Sequence, residues 1–118
     1  MQDTILRFRD WDVTIALSKY ADPLGRPAIQ LHAADTPHNA AQDLIPGEPI
    51  AVATINLPEW KAGPDQTFIK DYSENEGIAQ WLYDNGLIEP TGTFVQVGWV
   101  DAPLVTITQY CRDIAERL

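Results

Sequence analysis

The pattern of the chain predicts an α+β domain: an antiparallel sheet of about five to six strands with one main helix, over about residues 74–85, packed on one face. Three observations carry this. Apolar and polar residues alternate with period two in several short runs. Segments rich in Pro, Gly, Asn and Asp separate those runs. One stretch alone combines helical spacing with a start and a stop signal. With 118 residues the chain fits a single domain, 1–118. Folding at that size buries roughly two thirds of the surface the unfolded chain exposes.

The elements follow in order. Trp11, Val13, Ile15 and Leu17 alternate with Asp12, Thr14, Ala16 and Ser18, which is a strand with one buried face. Asp22-Pro23-Leu24-Gly25-Arg26-Pro27 reads as a turn, and Ile29, Leu31 and Ala33 as the returning arm of a hairpin. Residues 35–49, DTPHNAAQDLIPGEP, have little periodicity and predict a surface loop with little to order it. Residues 50–57, IAVATINL, are nearly all apolar or β-favouring and predict a central strand covered on both faces. A second loop follows at 58–66, then a short strand or extended lead-in at Thr67-Phe68-Ile69.

KDYSENEG, residues 70–77, holds three acids just before an apolar run. Ser73 with Glu76 matches the capping box S-x-x-E, in which each side chain bonds the other's backbone amide. Glu74 and Glu76 would sit in the first turn, where negative charge suits the helix dipole. Ile78, Trp81 and Leu82 share one helical face. Gly86 suits the left-handed position after the helix, Leu87 the apolar contact beyond it, and Pro90 bars continuation. Next come TFVQVGWV (93–100) and LVTITQY (104–110), interrupted by Asp101-Ala102-Pro103. They form either a hairpin or one long strand bulged at Pro103. The tail, 111–118, suits a short terminal helix.

Charge is the strongest compositional signal. Seventeen acids face eight bases, a formal net charge of −9, so the chain repels nucleic acid and anionic membrane and attracts basic surfaces. No apolar run approaches the ~20 residues of a membrane span, and MQDTILRFRDWD at the start lacks an apolar export segment. The single cysteine, Cys111, excludes an intrachain disulfide, and the expected compartment is the cytoplasm. His32, His38 and Cys111 do not have metal-ligand spacing, so no metal is expected. No nucleophile elbow and no glycine-rich phosphate loop occurs, so neither a catalytic residue nor a cofactor is expected. Three tryptophans, Trp11, Trp81 and Trp99, fit core positions; Trp60 lies in a loop and is the candidate exposed anchor.

The acids are unevenly placed. From Asp71 through Cys111 there are six, Asp71, Glu74, Glu76, Asp84, Glu89 and Asp101, and no Lys or Arg. A negative face of this kind can imitate the phosphate array of a nucleic acid and occupy a basic groove. The plain alternative is a solvated helix surface.

EPIAVATINLPE (48–59), FIKDYSENEG (68–77) and GLIEPTG (86–92) together resemble a domain family of bacterial phages, plasmids and integrative elements that carries the motif (F/V)IKDYSENEG. The resemblance covers residues 48–92 well and the hairpin from Trp11 to Ala33 loosely; residues 35–47 look like an insertion. No catalytic residues come with it. It implies a genomic setting in which small acidic proteins block host defences by binding them. The expectation is therefore a non-enzymatic inhibitor of a host nucleic-acid-binding defence complex, such as a CRISPR effector or a restriction system. Asp71, Tyr72, Glu74, Glu76, Asp84 and Glu89 would form its partner-binding face, with Trp60 or Tyr72 as the anchor. The alternative is a structural or adaptor protein of a mobile element, in one form a homodimer.

Overall fold

A computed structural model describes residues 4–118, so residues 1–3 of the expected domain lie outside the described residues. The fold is α+β, with mostly antiparallel sheets and few helices. The first sheet contains β1 (Leu6–Phe8), β2 (Trp11–Lys19), β3 (Pro27–Ala33) and β4 (Pro49–Val52) in that order, with β9 (Glu116–Arg117) added in parallel to β2. The second contains β5 (Thr54–Ile55), β6 (Gln66–Ile69), β8 (Val100–Ile107) and β7 (Ile88–Val97), in the order β5-β6-β8-β7 and all antiparallel. Three short helices complete it: α1 (Pro37–Ala40), α2 (Ile78–Asp84) and α3 (Gln109–Ile114).

The sequence expectation of one sheet with about five to six strands is corrected to two sheets and nine strands among the described residues. Its physical reason is a corner at Ala53. This fully buried residue donates its amide to Ile29 O (2.9 Å) and accepts at its carbonyl from Lys70 N (2.8 Å), so one peptide step ties both sheets together. The run 50–57 is therefore not a central strand. It is two edge strands, β4 and β5, that switch sheets at Ala53, a device by which orthogonal sheets turn corners.

The β2–β3 hairpin forms as its alternation predicts, with Ile15 facing Leu31 and Leu17 facing Ile29. Val13, Ile15, Leu17, Ile29 and Leu31 join Ile78 and Leu82 of α2, Val105 and Ile107 of β8, and Cys111 of α3 in the main core. Each such aliphatic side chain contributes about 1.5–3 kcal/mol by leaving water. A smaller cluster, Leu57, Phe68, Val95, Ala102 and Leu104, lies in the second sheet.

The main helix starts later than its sequence signals say. Ser73 has φ 58°, a left-handed value that an N-cap in extended conformation cannot have, and Ser73–Asn75 form a separate 3-10 turn. The capping box does not form. Helix α2 begins at Ile78, and Asp71 Oδ1 accepts from Ala79 N at 3.0 Å, capping from eight residues upstream. The other end matches its sequence signals. Gly86 N–H reaches Tyr83 O and Leu87 N–H reaches Leu82 O, the paired bonds of a Schellman motif, with Gly86 at φ 72°. A Cβ on Gly86 would meet only Tyr110 at 4.0 Å, so Gly86→Ala should cost about 1–2 kcal/mol from backbone strain alone, measured by urea unfolding.

One further expectation changes, and one open alternative closes. The 35–49 loop contains α1, and buried Asn39 ties it to the first sheet. Of the two alternatives for the last strands the hairpin is the one that forms, over residues 88–107, with its two-residue turn at Gly98-Trp99 and not at the 101–103 interruption. Its bulge falls between Pro90 and Phe94, where Thr91 Oγ1 donates to the freed Leu104 carbonyl at 2.8 Å. The tail forms α3 over Gln109–Ile114 and then β9. Among the described residues no helix is long and apolar enough to cross a membrane.

Candidate functional site

The seven candidate contact residues do not form one surface. They divide among separate places, and the division follows from backbone direction. Tyr72 is extended (φ −152°, ψ 171°), so its side chain and that of Asp71 leave the chain on opposite sides. Asp71 turns towards α2, and Tyr72 towards the outer side of β4.

On the α2 side, Asp71, Gln80, Tyr83, Phe94 and Asp101 line a shallow pocket of about 330 Å³. The β7–β8 hairpin brings Asp101 here from thirty residues down the chain. Burial, with the Asp71 charge beside it, raises the Tyr83 hydroxyl above its ordinary pKa. Asp84 is exposed and is joined to the pocket through Gln80, whose Nε2 donates to Asp84 Oδ1 at 2.8 Å. Phe94 is 63% exposed, an apolar group that shares this pocket with the carboxylates of Asp71 and Asp101. Asp71 also caps α2, so its charge is fixed in place by the fold.

On the β4 side, Tyr72 and Glu74 line a larger groove of about 760 Å³. Glu74 is paired with Lys70 at 2.6 Å, and the hydrogen bond from Lys70 holds its carboxyl at a pKa of about 2. Glu74 thus carries its charge throughout the neutral range, with a cation beside it. Glu76 is exposed, and Arg9 donates to its backbone carbonyl at 3.3 Å, so a cation stands here too. Glu89 is exposed on β7 opposite Thr106.

Trp60 is 44% exposed and belongs to neither group. Its carbonyl accepts from Arg26 Nη2, which ties the 57–60 turn to the residue that precedes β3 of the first sheet. The expectation that Trp99 is a core residue is corrected: it sits at the β7–β8 tip, 100% exposed. The sequence did contain that signal. Gly98 at φ 61° occupies the first position of a two-residue hairpin loop, as a II′ turn requires, which puts the next residue at the tip. Trp11 and Trp81 are half-buried against the main core. Phe94 was missed for another reason, since strand alternation does not say which face a neighbouring sheet will cover.

Some groups offer little chemistry. Burial pushes the Cys111 thiol up to about 11, so it is not a thiolate nucleophile at neutral pH. His32 Nε2 is bonded to Gln30 Oε1 at 2.9 Å. Among the described residues, no three of His, Cys, Asp and Glu converge as a metal site requires.

No family model, no curated protein and no solved structure matches the chain.

Proposed function

We propose that this is a non-enzymatic acidic binding protein of a phage or mobile element, which inhibits a host nucleic-acid-binding defence complex by docking on its basic surface. The observation that carries the reading is the meeting of Asp71 and Asp101 with exposed Phe94 in one pocket, with Asp84 bonded to its Gln80, in a stretch of chain, 71–111, with no Lys or Arg. Carboxylates around an aromatic side chain suit a basic partner. The charges steer and orient the encounter, and the ring supplies the dry contact. Trp99, projecting from the same hairpin, offers a second anchor. Glu74 and Glu76 are weaker candidates because Lys70 and Arg9 stand beside them.

The test is protection of plasmid transformation in bacteria carrying individual CRISPR or restriction systems. The wild-type protein should protect against at least one system. Asp84→Lys with Asp101→Lys should lower protection by at least about tenfold while the thermal melt stays unchanged, since both side chains are exposed. Undiminished protection by the double variant would overturn the electrostatic face. Absence of protection in every system would overturn the inhibitor.

One feature favours a second reading, a structural or adaptor homodimer. β7 is ten residues long and is the open edge of its sheet, with Phe94 exposed on it. Such an edge is a template for strand pairing. Light scattering that shows a dimer, lost in Phe94→Asp, would move the weight to this reading.

A further inference from the structure

Eight bases stand against seventeen acids in this chain, and three of the eight line one cavity. Lys19 ends β2, Arg112 lies in α3 and Arg117 in β9, and the cavity they line has a volume of about 320 Å³. Buried Leu17 and Ile107, one from each sheet, give it an apolar floor. Leu24, on the 22–27 turn, lines it too and is 54% exposed. The stem of Lys19 lies against the same turn: a Cβ placed on Gly25 would be 3.9 Å from its Cδ. One acid lines the cavity, Asp65, just before β6. Three cations less one carboxylate leave two positive charges here, in a chain whose net charge is −9.

The fold gathers these cations without neutralising them. Arg112 Nη1 donates to Ile107 O at 2.9 Å and Nη2 to Gln109 Oε1 at 3.0 Å, which fixes its plane. Asp65 Oδ2 is 3.6 Å from Nη1, too long for a hydrogen bond, and its side chain is 60% exposed, so water screens the pair. Arg117 Nη2 donates to Arg112 O at 3.3 Å, which brings the second guanidinium to the backbone of the first arginine. The strand that carries it is held by Leu118 N, which donates to Leu17 O at 2.9 Å. Among the described residues, Lys19 and Arg117 have no carboxylate within ion-pair distance. A guanidinium has five N–H donors and an ammonium three, so most of the donors here are unspent. Like charges gathered in this way repel one another, and a bound anion relieves the repulsion.

We infer that this cavity binds a small phosphate monoester, its phosphate on Lys19, Arg112 and Arg117 and its organic body on Leu17, Leu24 and Ile107. Charge selects the phosphate, since a monoester carries about −1.5 to −2 at neutral pH and the cavity offers two positive charges. The planar arginine fork suits phosphate oxygens. Size selects a small molecule. The walls come from both sheets, α3 and the turn, and about 320 Å³ is the low end of the range for small-ligand pockets. The cavity shares no residue with the α2–β7–β8 pocket, so it stands whether or not that face inhibits a defence complex.

The probe is phenyl phosphate, titrated into the isotope-labelled full chain at low salt, with inorganic phosphate and benzoate as comparisons. Amide shifts should centre on Lys19, Gly25, Arg112 and Arg117. Phenyl phosphate should bind at least about threefold more tightly than inorganic phosphate, through the apolar floor, and about tenfold more tightly than monoanionic benzoate. Lys19→Met and Arg117→Met, both at exposed positions, should each weaken it by about fivefold with the thermal melt unchanged. Affinity should also fall severalfold from about pH 7.5 to about pH 5, as the phosphate takes up its second proton near pH 6. Undiminished affinity in the two variants would overturn the proposal, as would shifts centred on Arg7, Lys61 or Lys70, or none at about 10 mM phenyl phosphate. So would equal affinity for inorganic phosphate, because the floor would then contribute nothing. A phosphoserine peptide that binds here more tightly than phenyl phosphate would overturn the small-molecule occupant.

Discussion

Replacing Asn39 by leucine should destabilise the fold by about 3–5 kcal/mol, enough to lower the melting temperature by roughly 10–20 °C. Asn39 is 1% exposed and serves three backbone groups at once. Its Nδ2 donates to Asp12 O at 2.7 Å and to Ala34 O at 3.0 Å, and its Oδ1 accepts from Asp12 N at 2.9 Å. Leucine nearly matches the volume but pairs with none of them, so it leaves two carbonyls and one amide wanting partners at a cost of about 1–3 kcal/mol each. Some of that is recovered where water can reach the sheet edge, which is why the total falls below the sum. Asn39→Asp discriminates the cause. It keeps the acceptor but loses both donations and adds a charge, so it should be at least as damaging. Urea unfolding of the pair measures both; a loss under about 1 kcal/mol in Asn39→Leu would show that the loop carries its own weight without this anchor.

That anchor explains one limit of reading the chain as a string. DTPHNAAQDLIPGEP looks unordered because its order is not periodic. A single asparagine, positioned by the Thr36 N-cap of α1, reaches across to β2. The same logic governs α2. Its C-terminal end was legible because Gly86 answers a local requirement, a left-handed residue after the last turn. Its N-terminal end was not, because the group that caps Ala79 is Asp71, brought there by a reversal that the local S-x-x-E pattern does not encode. IAVATINL shows a third kind of limit. Its composition is that of a covered strand, yet small, fully buried Ala53 lets two sheets meet at one residue and makes both halves edges. The candidate site divides in the same way. The excess of acids after Lys70 is visible by inspection, whereas the meeting of Asp71 with Asp101 depends on the β7–β8 hairpin, and the separation of Tyr72 from Asp71 depends on one extended residue.

Arg26→Met should cost about 2–3 kcal/mol and should free the 57–60 turn that presents Trp60. Arg26 is only 7% exposed and, among the described residues, makes no ion pair within salt-bridge distance. Its guanidinium instead donates to Leu57 O at 2.7 Å and to Trp60 O, with its centre 5.9 Å from the Phe68 ring centroid. Two effects oppose each other. Removing a buried cation relieves its desolvation, while removing its donors leaves two carbonyls unpaired and unties the turn. The fork geometry decides for the second. One planar group serves both carbonyls with little further loss of side-chain freedom, and methionine keeps the aliphatic stem, so packing changes little. Arg26→Lys should fall between, since a single ammonium does not span both carbonyls in the arginine's geometry. Denaturant unfolding gives the stability, and the indole N–H resonance of Trp60 reports whether the turn has loosened. If Arg26→Met were neutral or stabilising with that resonance unmoved, relief of desolvation would outweigh the two lost hydrogen bonds and the turn would hold without the arginine.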